Sequence, residues 1–144
     1  MLILAATPIG NLGDASPRLR EALENANFIA AEDTRTTGQL LKALGVKTGA
    51  KLIALHDHNE TAKAEEIARL ALEHDLVLVS DAGMPGINDP GFVVVRAAHE
   101  AGATVTVIPG PSAAIAALAV SGLPTDRFTF EGFVPRKGRI GFFE

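Results

Sequence analysis

The chain has 144 residues, 47% of them hydrophobic and 21% charged, which suits one ordinary globular domain with a sizeable core and excludes a disordered chain. It has no cysteine, which excludes a disulfide framework, thiolate metal sites and a cysteine nucleophile, and suits a reducing cytoplasm. Its net charge of −4 is not the basic footprint of a free-standing nucleic-acid binder, so any nucleic-acid contact is local or made outside these residues.

Residues 1–10 are apolar but have no basic flank, and Pro8 interrupts them, so they read as a strand and not a signal peptide. Short, continuous apolar runs follow at Phe28–Ala31, Leu52–Leu55, Leu76–Ser80 and Val105–Ile108. With Leu2–Ala6 they predict five buried strands of the kind found in parallel sheets covered on both faces.

Helical patterns fill the gaps. Ser16 and Pro17 make a cap followed by proline at the first helical position, ahead of Leu19, Ala22, Leu23 and Ala26. Gln39–Leu44 ends at Gly45, a C-terminal stop. Asn59 caps a helix with Ala64, Ile67, Ala68, Ala71 and Leu72 on one face. Asp89 and Pro90 repeat the cap-plus-proline signal and Gly102 ends that helix, although Val93–Val95 reads equally well as a strand. Ser112 caps Ala113–Val120, which is apolar all round and expected to be buried. No apolar run approaches the roughly 20 residues needed to cross a bilayer.

These patterns predict an α/β fold: a five-stranded, mostly parallel sheet with helices on both faces, over residues 1–124. After Pro124, Phe128, Phe130 and Phe133 suggest one more extended segment. Arg136, Lys137 and Arg139 then read as a basic linker, so residues 125–144 are expected to lead to a second domain absent from this chain.

In open α/β sheets ligands bind at the carboxyl ends of the strands, and the unusual residues gather there. Thr7–Asp14 is a glycine-containing turn, but neither a dinucleotide fingerprint nor a Walker loop. Glu32, Asp33 and Arg35 follow the second strand, either as a site or as a surface ion pair with a helix cap. His56, Asp57, His58, Asn59 and Glu60 follow the third; a general base or a cap is preferred to a metal site, because no distant third His or Cys set accompanies them. Ser80–Gly91 is a long loop with Asp81 at the strand tip, placed to accept hydrogen bonds from an ammonium or a ribose. Ser112 opens a helix whose N-terminus suits a carboxylate or phosphate.

Six stretches in order, ATPIGNLGD (6–14), AAEDTR (30–35), HDHNE (56–60), VSDAGMPGINDPG (79–91), PGPSAAIAAL (109–118) and SGLPTDRFTFEGFVPRKG (121–138), resemble the tetrapyrrole (corrin/porphyrin) methylase superfamily, and within it the branch that modifies ribosomal RNA. The resemblance implies two α/β domains with S-adenosyl-L-methionine folded between them. It places Pro8, Ile9, Gly10, Asp81, Met84, Ser112 and Ala113 along the cofactor. Corrin-type relatives carry a richer glycine loop after the first strand and Gly-Asp-Pro after the fourth. The Pro-Ile-Gly-Asn and Ser-Asp-Ala-Gly found here instead favour the RNA branch.

The implied reaction is 2′-O-methylation of a cytidine ribose in 16S rRNA of the small ribosomal subunit, with this chain inactive alone. The cofactor carries the reactive methyl, and Glu32, His58 and Glu60 are the candidate bases, with Arg35 for a substrate phosphate. A homodimer is expected, with no metal and no membrane. The rival readings are a methyltransferase acting on a tetrapyrrole such as uroporphyrinogen, and a non-catalytic ligand-binding or oligomerisation domain.

Overall fold

The computed structural model describes residues 1–88 and 90–143. They divide into two compact units, Met1–Ala113 and Ala114–Glu144.

In the first unit all five strands form: β1 (Leu2–Ala5), β2 (Phe28–Ala31), β3 (Lys51–Ala54), β4 (Leu76–Val79) and β5 (Val105–Ile108). They make one sheet in the order β3-β2-β4-β1-β5, every pairing parallel. Among the described residues four α-helices connect them, α1 (Pro17–Asn25), α2 (Thr34–Ala43), α3 (Glu60–Glu73) and α4 (Phe92–Ala101), with a short 3-10 turn, Leu12–Asp14, ahead of α1.

Strand alternation divides the core in two. Ile3, Ala5, Ile29, Ala31, Val77 and Val79 point to the face where Leu19 and Leu23 of α1 and Leu41 of α2 pack. Leu2, Ala30, Leu76 and Leu78 point to the other face, against Ala64, Ile67 and Ala71 of α3 and Val94 and Ala98 of α4. The sheet is therefore doubly wound. Adjacent strands β4 and β1 send their chains to opposite faces, as do β2 and β4, which opens crevices at the carboxyl edge.

Several terminators act as their residue types dictate. The Ser16 side chain accepts from the Leu19 N–H, with Pro17 at the first helical position. Gly45 (φ 67°) and Gly102 (φ 83°) adopt the left-handed conformation that ends α2 and α4. Other expectations need correction. α2 begins at Thr34, with the Asp33 side chain as its cap, well ahead of Gln39. Asn59 precedes α3 but makes no side-chain cap, because its amide is engaged in the preceding loop. Leu72 is exposed, since at 100° per residue it lies about 90° round from the centre of the buried stripe. Val93–Val95 is helical. The Asp89 cap lies outside the described residues, and Pro90 precedes α4 without opening it.

The second unit holds α5 (Ala113–Val120, beginning at the last residue of the first unit) and α6 (Arg139–Phe143). α5 forms as expected but buries none of its residues within this chain. Its composition says that it gains by being covered, not what covers it. The segment carrying Phe128, Phe130 and Phe133 joins no strand, and all three rings are exposed. No helix among the described residues is long and apolar enough to cross a membrane.

Candidate functional site

The tips of β4, β1 and β5 lie side by side and are joined by backbone. Thr7 and Gly83 exchange two hydrogen bonds, each 3.0 Å, in an isolated antiparallel bridge. Thr7 is 0% exposed, and its hydroxyl donates to the Ser80 carbonyl at 3.4 Å. The Ser80 hydroxyl lies 3.0 Å from the carbonyl oxygens of both Ala82 and Gly83. The buried Thr7 and Ser80 hydroxyls thereby both have hydrogen-bond partners in this corner.

Two glycines allow the close approach. A Cβ on Gly110 would stand 2.9 Å from the Ala6 Cβ. One on Gly83 (φ 83°) would stand 3.3 Å from the Ile9 side chain and 3.4 Å from the Pro111 carbonyl oxygen. Ile9, Gly83 and Pro111 are thus brought together from three loops. Around them Ile9, Gly10, Asp81 and Ala113 are exposed, and Pro8, Met84 and Ser112 half-buried.

At the tip of β2 the Asp33 N–H donates to Asp81 Oδ1 at 3.3 Å, which ties this tip to the group. The Asp33 carboxylate turns the other way. It accepts from the Arg35 N–H at 2.9 Å and meets the Arg35 guanidinium at 3.4 Å. The Arg35 backbone N–H first, and its guanidinium second, hold the Asp33 carboxyl below its ordinary value. The Arg35 side chain is 89% exposed. The ion pair and the helix cap are therefore both present. Glu32, one residue earlier, is half-buried at the strand tip.

Beyond it, at the β3 edge, Asn59 folds the loop. Its side chain accepts from the His56 N–H at 2.8 Å and donates to the Ala54 carbonyl at 3.0 Å. The His56 and His58 rings meet edge to face with centroids 5.8 Å apart, and His58 is exposed. His56 Nδ1 is buried with no hydrogen-bond partner among the described residues. Glu60 does not face the strand tips alone: its Oε1 accepts from the Gly91 N–H at 2.7 Å and the Val93 N–H at 3.2 Å. Among the described residues no group of three or more His, Cys, Asp and Glu is arranged to hold a metal.

The family model for tetrapyrrole (corrin/porphyrin) methylases matches residues 1–141. The chain belongs to that family. Three relatives named Ribosomal RNA small subunit methyltransferase I show how near the likeness is. The Xylella fastidiosa (strain Temecula1 / ATCC 700964) protein is 59% identical over 137 residues, 94% of this chain and 50% of its own length. The Escherichia coli O157:H7 protein is 53% identical over 139 residues, 96% and 48%. The Synechocystis protein is 52% identical over 140 residues, 96% and 50%. The chain spans about half the length of the curated relatives it matches.

Along the edge of this methylase sheet, the strand order separates the two sets of residues singled out from the sequence. The residues expected along the cofactor follow the adjoining strands β4, β1 and β5; Glu32 and Arg35 follow β2, and His58 and Glu60 follow β3. At about 4.8 Å per strand, β3 lies roughly 10 Å from β4. A depression of about 210 Å³ beside α1, lined by Arg18, Glu21, Asn25 and Asp75 among others, contains none of these residues. Sequence reasoning missed Thr7 and Gly110 as the residues that bring the methylase loops together, because both act on partners far away in the chain. Proline after Thr7 and on both sides of Gly110 was the available signal of fixed backbone.

Proposed function

We propose that this chain is the cofactor-binding half of an S-adenosyl-L-methionine-dependent methyltransferase that 2′-O-methylates a cytidine ribose in 16S rRNA of the small ribosomal subunit. The observation that carries the reading is the backbone-locked group of tips on β4, β1 and β5, with Asp81 at its rim, in a chain about half identical to proteins named for ribosomal RNA methylation. The remaining half of the relatives' length forms the other wall of the cleft. The protein works in the cytoplasm as a homodimer.

The residues present fit such a cofactor. A Cβ at Gly83 or Gly110 would crowd the corner where the three loops meet. The exposed Ile9 side chain and half-buried Met84 offer apolar contact for an adenine, and Asp81 offers a carboxylate for an ammonium or ribose hydroxyl. Pro8 and Gly10 shape the turn around Ile9, and Ser112 and Ala113 extend the rim beyond Pro111. When bound, the cofactor supplies an electrophilic methyl group on sulfur.

The chain's own part is alignment and proton removal. A ribose hydroxyl is a weak nucleophile, and a positioned base contributes about 10²- to 10⁴-fold. Glu32 is the first choice, because it stands at the tip of the strand beside β4; His58 is the second, one strand further out. Arg35, exposed on the same side, is placed to meet an RNA phosphate in exchange for Asp33.

Asp81→Ala in the full-length protein tests the cofactor side. Loss of a charge-assisted hydrogen bond weakens S-adenosyl-L-methionine binding by about 10- to 100-fold in calorimetry. Unchanged affinity would show that the cofactor lies elsewhere. The 144-residue chain, with one wall of the cleft, should bind weakly and transfer no methyl group. Methyl transfer to uroporphyrinogen but not to small ribosomal subunits would overturn the substrate assignment.

A further inference from the structure

We propose that Glu60 is a positioning residue: its carboxylate clamps the far end of the loop 80–91 and so fixes the shape of the rim that carries Asp81 and Met84. The inference rests on the reading that this loop borders the cofactor.

The loop needs holding at both ends. Gly83 and Gly86 (both φ 83°), Asn88 (φ 57°) and Gly91 (φ 140°) all have positive φ, a backbone that glycine and asparagine permit but do not enforce. At its start the Thr7–Gly83 bridge ties it to β1. At its end it runs into α4, whose N-cap, Gly91, has no side chain to satisfy the first amides of the helix. Glu60 supplies the missing acceptor from another element. It is the first residue of α3, and its Oε1 receives the Gly91 N–H at 2.7 Å and the Val93 N–H at 3.2 Å.

The carboxylate therefore lies at the N-termini of two helices, α3 by sequence and α4 by hydrogen bond, where both helix dipoles favour negative charge. Gly91 cannot readily be replaced by a residue that caps for itself: a Cβ there would stand 3.0 Å from Leu78 and 3.3 Å from Gly86. The carboxylate so engaged through Oε1 holds a loop in place, and the variants below separate that role from proton removal.

Three full-length variants separate the possibilities, each compared with wild type by calorimetry with S-adenosyl-L-methionine, by steady-state kinetics, and by amide hydrogen exchange without ligand. Glu60→Gln keeps an acceptor oxygen and retains cofactor affinity within about 3-fold and most of kcat, whereas Glu60→Ala weakens affinity by about 10-fold. Glu60→Ala also accelerates exchange at Val93 and through the 80–91 loop, with that of β1 and β4 unchanged. Two results would overturn the clamp: a Glu60→Gln protein that loses kcat by 100-fold or more at unchanged affinity, the mark of a base, or a Glu60→Ala protein with unchanged loop exchange. Asp81→Ala is the separate control. Unchanged affinity there refutes the cofactor placement, while the exchange data, taken without ligand, still decide the role of Glu60.

Discussion

The two halves of the sheet's carboxyl edge are built differently. On the β4-β1-β5 side the backbone itself is fixed: loops pair with each other, Thr7 is fully enclosed, and glycines stand where a methyl group would collide. On the β2-β3 side the backbone is ordinary and more of the chemistry faces solvent, with Arg35 on an exposed ion pair and His58 on an exposed loop, although Glu32 and Glu60 are half-buried. A small ligand that must present one atom accurately gains from the first kind of surface. A large polymeric acceptor, which brings its own shape and charge, is better met by the second. The division of roles proposed above, cofactor on the first side and acceptor on the second, rests on this difference.

The sharpest way to break this comparison is to fill the glycines. Gly91→Ala should have the largest effect, because φ 140° is a conformation essentially restricted to glycine and the new Cβ would press on Leu78 and Gly86. A loss of about 3 kcal/mol is expected from strain and overpacking together. Gly110→Ala comes next, at about 1–3 kcal/mol, through its 2.9 Å approach to Ala6. The contrasting substitution is Gly38→Ala on the other side: nothing lies within 4 Å of its Cβ, and it sits inside α2. There alanine should stabilise by about 0.5–1 kcal/mol. Urea denaturation of the three variants gives the order directly. Equal losses at Gly110 and Gly38 would show that the halves do not differ as described.

Much of this frame was legible in the sequence. The strands were found from short apolar runs, and Ser16, Pro17, Gly45 and Gly102 marked helix ends because each acts on neighbours within a turn. The strand order was not legible. Leu76–Val79 is buried on both faces, so its residues carry no alternation to say which helix covers which side. The loops stood out as candidates for a site, but their mutual arrangement was not legible, since Thr7 pairs with Gly83 and Glu60 with Gly91 across long stretches of chain. Asn59 shows the limit well. Its type and position predicted a cap, yet the side chain gains more by closing the loop through His56 and Ala54. For α5, apolar composition predicted burial, and composition alone does not supply a covering surface.

The smallest expected effect tests whether the β2 tip is as loosely held as its exposure implies. Asp33 caps α2 and pairs with Arg35, and its folded pKa lies below the ordinary value of 3.8. Its charge therefore stabilises the fold above the unfolded pKa, and that contribution is lost as the pH falls through the lowered folded value. Asp33→Asn keeps a capping oxygen and removes the charge. Urea midpoints of wild type and variant should differ slightly at pH 7, converge as the pH drops below 3.8, and draw together at neutral pH when salt is added, since an exposed pair is screened. A gap that persists unchanged into acid would mean that the variant disturbs cap geometry and not charge. A large gap that ignores salt would mean that the β2 tip is held as firmly as the Thr7–Gly83 corner, and the division of the edge into a fixed and a solvent-facing half would fail.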